Sequence, residues 1–178
     1  IKTLAGKGTW MMMQRSFKTK ITDEKIKQKM TKEFLDYYSK NINKGSKPLT
    51  GIVKFLDWAK SKNIALAVCT NKQEELATTL LKKLNLENYF DFIAGSDTFE
   101  FNKPDPRHLT NVIEIIGGDL KKTIMVGDSE VDANAAENAN LPFILIEDGY
   151  TEKTTKEIKH DVLIKDYKNF EKIIEKYL

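Results

Sequence analysis

A chain of 178 residues has the length of one ordinary domain, with or without a small appendage. Its net charge of +3, from 29 basic and 26 acidic residues, is near balance, and the lysines are spread over almost every predicted helix, so nucleic acid is not expected as a partner. No apolar run approaches the ~20 residues that cross a bilayer, and the single Cys69 excludes an internal disulfide, which points to a reducing, cytoplasmic setting.

Taken in order, the chain begins with helical patterns. Thr9 is placed to cap a short helix carrying Trp10, Met13 and Phe17. A second helix is expected over residues 22–42, with Ile26, Met30, Phe34 and Tyr37 on one stripe. Asn43, Gly45 and Pro48 then break the chain. Residues 1–47 thus read as a small helical unit without a strand. From residue 48 the pattern changes to alternation. An amphipathic helix over 50–62 precedes the apolar strand 64–69, which ends at Thr70-Asn71-Lys72. A helix over 73–84, a short strand near 92–94 and a loop ending in Lys103-Pro104 follow, then a helix over 106–116 closed by Gly117-Gly118.

The run Thr123–Val126 reads as a strand buried on both faces that stops at Gly127-Asp128-Ser129. Alanine-rich 133–139 reads as helix, stopped by Asn140 before Pro142. A strand over 143–146, a turn at Asp148-Gly149, a helix near 151–159, a strand over 162–164 and a last helix over 167–177 complete the chain. Strands alternating with helices predict an α/β fold with a doubly wound parallel sheet.

Three polar features fall at the carboxyl ends of these strands or in the loops beside them: Thr70 with Asn71, Lys103, and Asp128 with Asp132 one helical turn later. In a parallel sheet all of them face one rim, where open α/β sheets bind ligands. A hydroxyl, an ammonium and a carboxylate together suit a phosphate with a hard cation beside it. Singly, each has a plainer reading. Thr70 and the Asp128-Ser129 pair also fit as helix caps, and Lys103 as a solvated loop lysine.

Thr70 after an apolar strand, Lys103-Pro104, and Gly127-Asp128-Ser129 followed by Asp132 resemble the second, third and fourth motifs of the haloacid dehalogenase-like phosphatases. The strings NKPDPRHL (102–109) and MVGDSEVDANAAENANLP (125–142) are similar, more specifically, to those of phosphoglycolate phosphatases and their near relatives. The resemblance implies a Rossmann-type core over 48–178 and a partial helical cap over 1–47. It implies a Mg²⁺-dependent phosphatase of a small phosphorylated metabolite, phosphoglycolate first, acting through a phosphoaspartate. By that resemblance Thr70, Asn71 and Lys103 bind the phosphoryl group, with Thr70 and Lys103 catalytic. Asp128 and Asp132 are the metal-binding pair, Asp132 in direct contact or one step removed. Lys7, Arg15 and Lys18 are candidates on the cap to reach a substrate carboxylate.

One motif of the family is absent. The Asp-x-Asp-Gly-Thr that carries the nucleophile has no counterpart: Asp23 and Asp36 fall at or within a predicted helix, and Asp148-Gly149 comes too late in the chain. By the resemblance, its strand lies between those of 64–69 and 123–126. If the gap is held open, these flanking strands lie about 9–10 Å apart; if it closes, they pair at ~4.8 Å. With Ile1 at the start, the simplest expectation is a truncation of on the order of 40 residues, one strand and one or two helices. The alternative is an inactive remnant, or one subunit of a split phosphatase completed by a fragment that carries the nucleophile. A signalling receiver domain is disfavoured because its aspartates precede its Thr and Lys, and a dinucleotide-binding fold because no strand leads into a GxGxxG turn.

Overall fold

The computed structural model describes Trp10, Met13, Gln14, Ser16, Phe17 and residues 20–151 and 153–177. In chain order the helices are α1 (Glu24–Lys40), α2 (Ile52–Ser61), α3 (Glu74–Lys83), α4 (Arg107–Ile115), α5 (Glu130–Asn138) and α6 (Glu171–Ile174). The strands are β1 (Ala67–Cys69), β2 (Phe92–Ala94), β3 (Met125–Gly127), β4 (Phe143–Ile146) and β5 (Val162–Ile164). Every observed pairing is parallel, as the alternating pattern requires.

The core is organised around β4, whose four residues are all apolar and all buried. Successive side chains point to opposite faces. Ile144 and Ile146 pack in one cluster with Phe55, Leu56 and Ala59 of α2, and with Phe170 and Ile174 at the carboxyl end. Phe143 and Leu145 pack in the other with Leu109 and Ile113 of α4 and Ala133, Ala135 and Ala136 of α5. The small alanines let α5 lie close on the sheet. Each large side chain so buried contributes about 1.5–3 kcal/mol.

The sheet is split. Among the described residues β1 pairs with β2 alone, and β3, β4 and β5 form a separate sheet in that order. β1 and β3 flank the break, and neither is fully buried. The expectation that 123–126 is buried on both faces is therefore corrected: β4 is the doubly buried strand, because it alone has a strand on either side.

Several helices also differ from expectation. α1 is capped by Asp23, which accepts hydrogen bonds from the Lys25 and Ile26 amides at 2.8 and 3.1 Å. None of its residues is buried, and Ile26 and Tyr37 of the predicted stripe are 49% and 68% exposed. Tyr38 instead stacks on Phe34 across one turn, with ring centres 5.9 Å apart. Trp10, Met13 and Gln14 are helical, while Thr9 lies outside the described residues. The helix expected near 151–159 is only a 3-10 turn over Thr155–Glu157 with a Thr154/Glu157 capping box. Threonines at 151, 154 and 155 favour such caps and turns over helix interior. The last helix is reduced to α6, preceded by turns around Asn169, whose φ is +56°.

Candidate active site

The polar groups gather where β1 and β3 end, beside the break in the sheet. Lys103 lies in the loop between β2 and α4 and is 7% exposed. Its ammonium donates to the carbonyl of Cys69 at the end of β1, at 2.6 Å, and to Oδ1 of Asp132 on α5, at 2.5 Å. One cation thus ties the end of β1 to α5, the helix that packs on the other sheet. The Asn71 side-chain amide donates to the Lys103 carbonyl at 2.8 Å, fixing the lysine's backbone against the loop after β1. The Lys103-Pro104 peptide is cis.

Asp132 is also buried, and its second oxygen accepts from the Ser129 hydroxyl at 2.7 Å and the Asp128 amide at 3.1 Å. Burial by itself would raise its carboxyl pKa. The Lys103 charge and the hydrogen bonds from Lys103, Ser129 and Asp128 outweigh this and hold it below the usual value. Gly127 is required for this arrangement: a Cβ there would lie 2.4–2.7 Å from the Asp132 side chain.

Asp128 differs. Its Oδ2 accepts from the Tyr150 amide at 3.1 Å, and its backbone is pressed against Gly149, where a Cβ would sit 2.0 Å from the Asp128 carbonyl oxygen. Burial, followed by the negative charge of Asp132, raises its pKa. A carboxyl so crowded by its own kind favours a nearby cation. Among the described residues no set of three or more His, Cys, Asp and Glu side chains forms a metal cluster. The oxygen donors nonetheless suit Mg²⁺, which takes one or two carboxylates and fills its other positions with water and phosphate oxygens. Both Asp132 oxygens are already engaged, so Asp128 is the carboxylate that could hold the cation, with its backbone fixed by Asp132.

Thr70 lies at the end of β1, and its Oγ1 accepts from the Lys72 amide at 3.2 Å. The hydroxyl proton therefore remains available to a ligand. Thr70 does not cap α3, whose N-cap is Gln73. Ser129 does cap α5, so the plain reading and the functional one hold together at that residue. Of the predicted residues, Lys103 and Asp132 touch directly, Asp128 contacts Asp132, and Asn71 contacts Lys103. Lys7, Arg15 and Lys18 lie outside the described residues. The Cys69 thiol, pushed up to about 11 mainly by burial, is an inert neighbour. What sequence reading missed is the clamp on Asp128 by Gly149 and Tyr150. Its only signal was the Asp148-Gly149 turn, which carries no indication of what it packs against.

Parallel strands with helices on both faces, and polar groups at their carboxyl edge, define an α/β protein with a ligand-binding edge. The sequence profile described as "Haloacid dehalogenase-like hydrolase" matches residues 1–146, and the chain belongs to that family. It is 41% identical over 180 residues to a phosphoglycolate phosphatase of Agrobacterium fabrum, covering 97% of this chain and 77% of that one. It is 35% identical to the phosphoglycolate phosphatase of Mesorhizobium japonicum, with coverage of 93% and 74%. Among solved structures, a predicted phosphoglycolate phosphatase from Haemophilus somnus superposes with a TM-score of 0.89 at 23% identity, over 97% of this chain and 80% of that one. A β-phosphoglucomutase from Clostridium difficile gives 0.79 at 23% identity, with coverage of 99% and 79%. At such identity the structural likeness is one of fold. No helix among the described residues is long and apolar enough to cross a membrane.

Proposed function

We propose that this chain is the larger part of a Mg²⁺-dependent phosphatase acting on a small phosphorylated metabolite, with phosphoglycolate the first candidate. The observation that carries the reading is the buried Lys103–Asp132 pair set between Thr70 and Asp128 at one sheet edge. A buried ion pair is a weak source of stability, and one placed among donors at the ligand-binding edge is better explained by chemistry. The phosphatase relatives support the substrate class.

In this reading Thr70 and the amides near Asn71 donate to the phosphoryl oxygens. Lys103 neutralises charge that builds on them during transfer. Asp128, oriented by Asp132 and the Tyr150 amide, is the residue that would hold Mg²⁺, which supplies further charge neutralisation to the phosphate. The nucleophilic aspartate, and the phosphoaspartate formed on it, belong to a strand seated between β1 and β3. Residues 1–47 serve as part of a cap over the site.

A second reading is favoured by the split sheet: an inactive remnant, or a subunit completed by a separate fragment. Phosphate release from 2-phosphoglycolate by the natural full-length protein, with Mg²⁺ and with EDTA, separates the two. Cation-dependent release that disappears in Asp128→Ala, with the far-UV circular dichroism unchanged, is the expected result. Unaltered kinetics in that variant would remove Asp128 from the metal site, and no release with any phosphoester would leave the second reading.

A further inference from the structure

Lys72 follows Thr70 and Asn71 in the loop after β1, and its side chain does something the site described above does not use. Its ammonium reaches across to α1, where it donates to the Tyr38 hydroxyl at 2.6 Å and lies 4.4 Å from the ring centre. Its backbone is fixed at both ends: the amide donates to Thr70 Oγ1, and the carbonyl accepts from Ser96 at 2.9 Å. Tyr38 is itself held by its stack on Phe34.

Among the described residues Lys72 makes no ion pair, whereas Lys27, Lys60 and Lys159 each meet a carboxylate. A half-buried ammonium held only by a neutral phenol keeps its charge uncompensated, and it keeps donors to spare. The phenol adds one more. While its oxygen accepts from Lys72, its own proton is free to donate, and acceptance of a charged donor strengthens that donation. An N–H and an O–H donor side by side match the two oxygens of a carboxylate. Thr70 and Lys72 are two residues apart, with their Cα atoms at most about 7 Å from each other, so a ligand held by its phosphoryl group at Thr70 lies on the same loop as the residue that carries this ammonium.

We propose that Lys72, with Tyr38, is the specificity-determining pair that takes the carboxylate of a small phosphorylated acid whose phosphoryl group sits at Thr70 and Lys103. The pair spans α1 and the loop after β1, so ligand binding also ties the helical start of the chain to the sheet. The inference rests on the phosphatase reading and names the end of the substrate that does not react.

The test uses two phosphonates whose P–C bonds cannot be hydrolysed: 3-phosphonopropionate, which has a carboxylate, and propylphosphonate, which has a methyl group in its place. Titration calorimetry on the natural full-length protein with Mg²⁺ compares them. The expected result is about tenfold tighter binding of 3-phosphonopropionate, the scale of one charge-assisted hydrogen bond. Lys72→Met abolishes that preference and leaves propylphosphonate affinity within about twofold, which also shows that the variant is folded. Lys72→Arg restores part of it, and Tyr38→Phe lowers it. A preference that survives in Lys72→Met, or that wild type never shows, overturns the assignment. If neither phosphonate nor inorganic phosphate binds to wild type, the phosphatase reading fails first and the assignment falls with it.

Discussion

Lys103 and Asp132 illustrate how a pair of charges can be both costly and retained. Both are buried and both are in contact, and Asp132 has no other cationic partner among the described residues. Removing the lysine leaves a carboxylate in a low-dielectric pocket with only neutral donors. Lys103→Ala is expected to lower stability by about 3–5 kcal/mol, the usual cost of breaking a buried pair. Denaturant unfolding at neutral pH measures it. The depressed Asp132 pKa sets the sign with pH: its stabilising contribution is present above the ordinary value of 3.8 and lost as pH falls through the lower folded value. The gap between wild type and variant should therefore narrow at acid pH. A constant gap would mean that the lost stability is packing rather than charge.

At the scale of elements, the loops that end the strands brace one another. His108 of α4 is fully buried, and its Nε2 meets the Gly95 carbonyl at 3.1 Å, just past β2. The next residue, Ser96, donates to Lys72, so α4 supports the loop that carries Thr70 and Lys72. The other His108 nitrogen is buried without a hydrogen-bond partner among the described residues. Burial, with the nearby Lys103 charge, lowers the His108 pKa below 6.5. A histidine held neutral in the fold contributes stability that is present above 6.5 and lost as pH falls through its folded value. Wild type should lose stability from pH 6.5 downward, and His108→Gln, which keeps an N–H donor for Gly95, should lose less over the same interval. Coincident pH slopes in thermal unfolding would show that another group is responsible.

The order of Thr70, Lys103 and Asp128 was legible in the sequence because Thr70 follows an apolar run, Lys103 stands directly before Pro104 and Asp128 directly after Gly127, and such punctuation survives without knowledge of tertiary contacts. The Lys72–Tyr38 contact was not, since it joins residues 34 apart and nothing in local periodicity selects Tyr38 over Tyr37. The same limit explains the lost helix near residue 155. A Thr- and Lys-rich stretch can satisfy a helical pattern by count while Thr154 closes a capping box with Glu157 instead.

For the molecule as a whole, the break between β1 and β3 governs what should be measured first. Among the described residues these two half-buried strands share no ladder, and Lys103 links the end of β1 to α5, the helix that packs on the other sheet. Backbone groups left unpaired away from water cost roughly 1–3 kcal/mol each, against about 5–15 kcal/mol for a whole domain. The 178-residue chain alone should consequently be soft along this seam. Hydrogen exchange should release the amides of β1 and β3 well before those of β4, which is paired on both sides and buried. In the protein isolated from its natural source, an occupied seam would bring the β1 and β3 amides to the protection of β4. Its intact mass would then exceed 20.4 kDa by several kilodaltons, or a smaller chain would copurify with it. Natural protein of 20.4 kDa without a companion, with β1 and β3 as protected as β4, would overturn the seated strand. The seam would then be stable as it stands, and the nucleophile would have no place to enter.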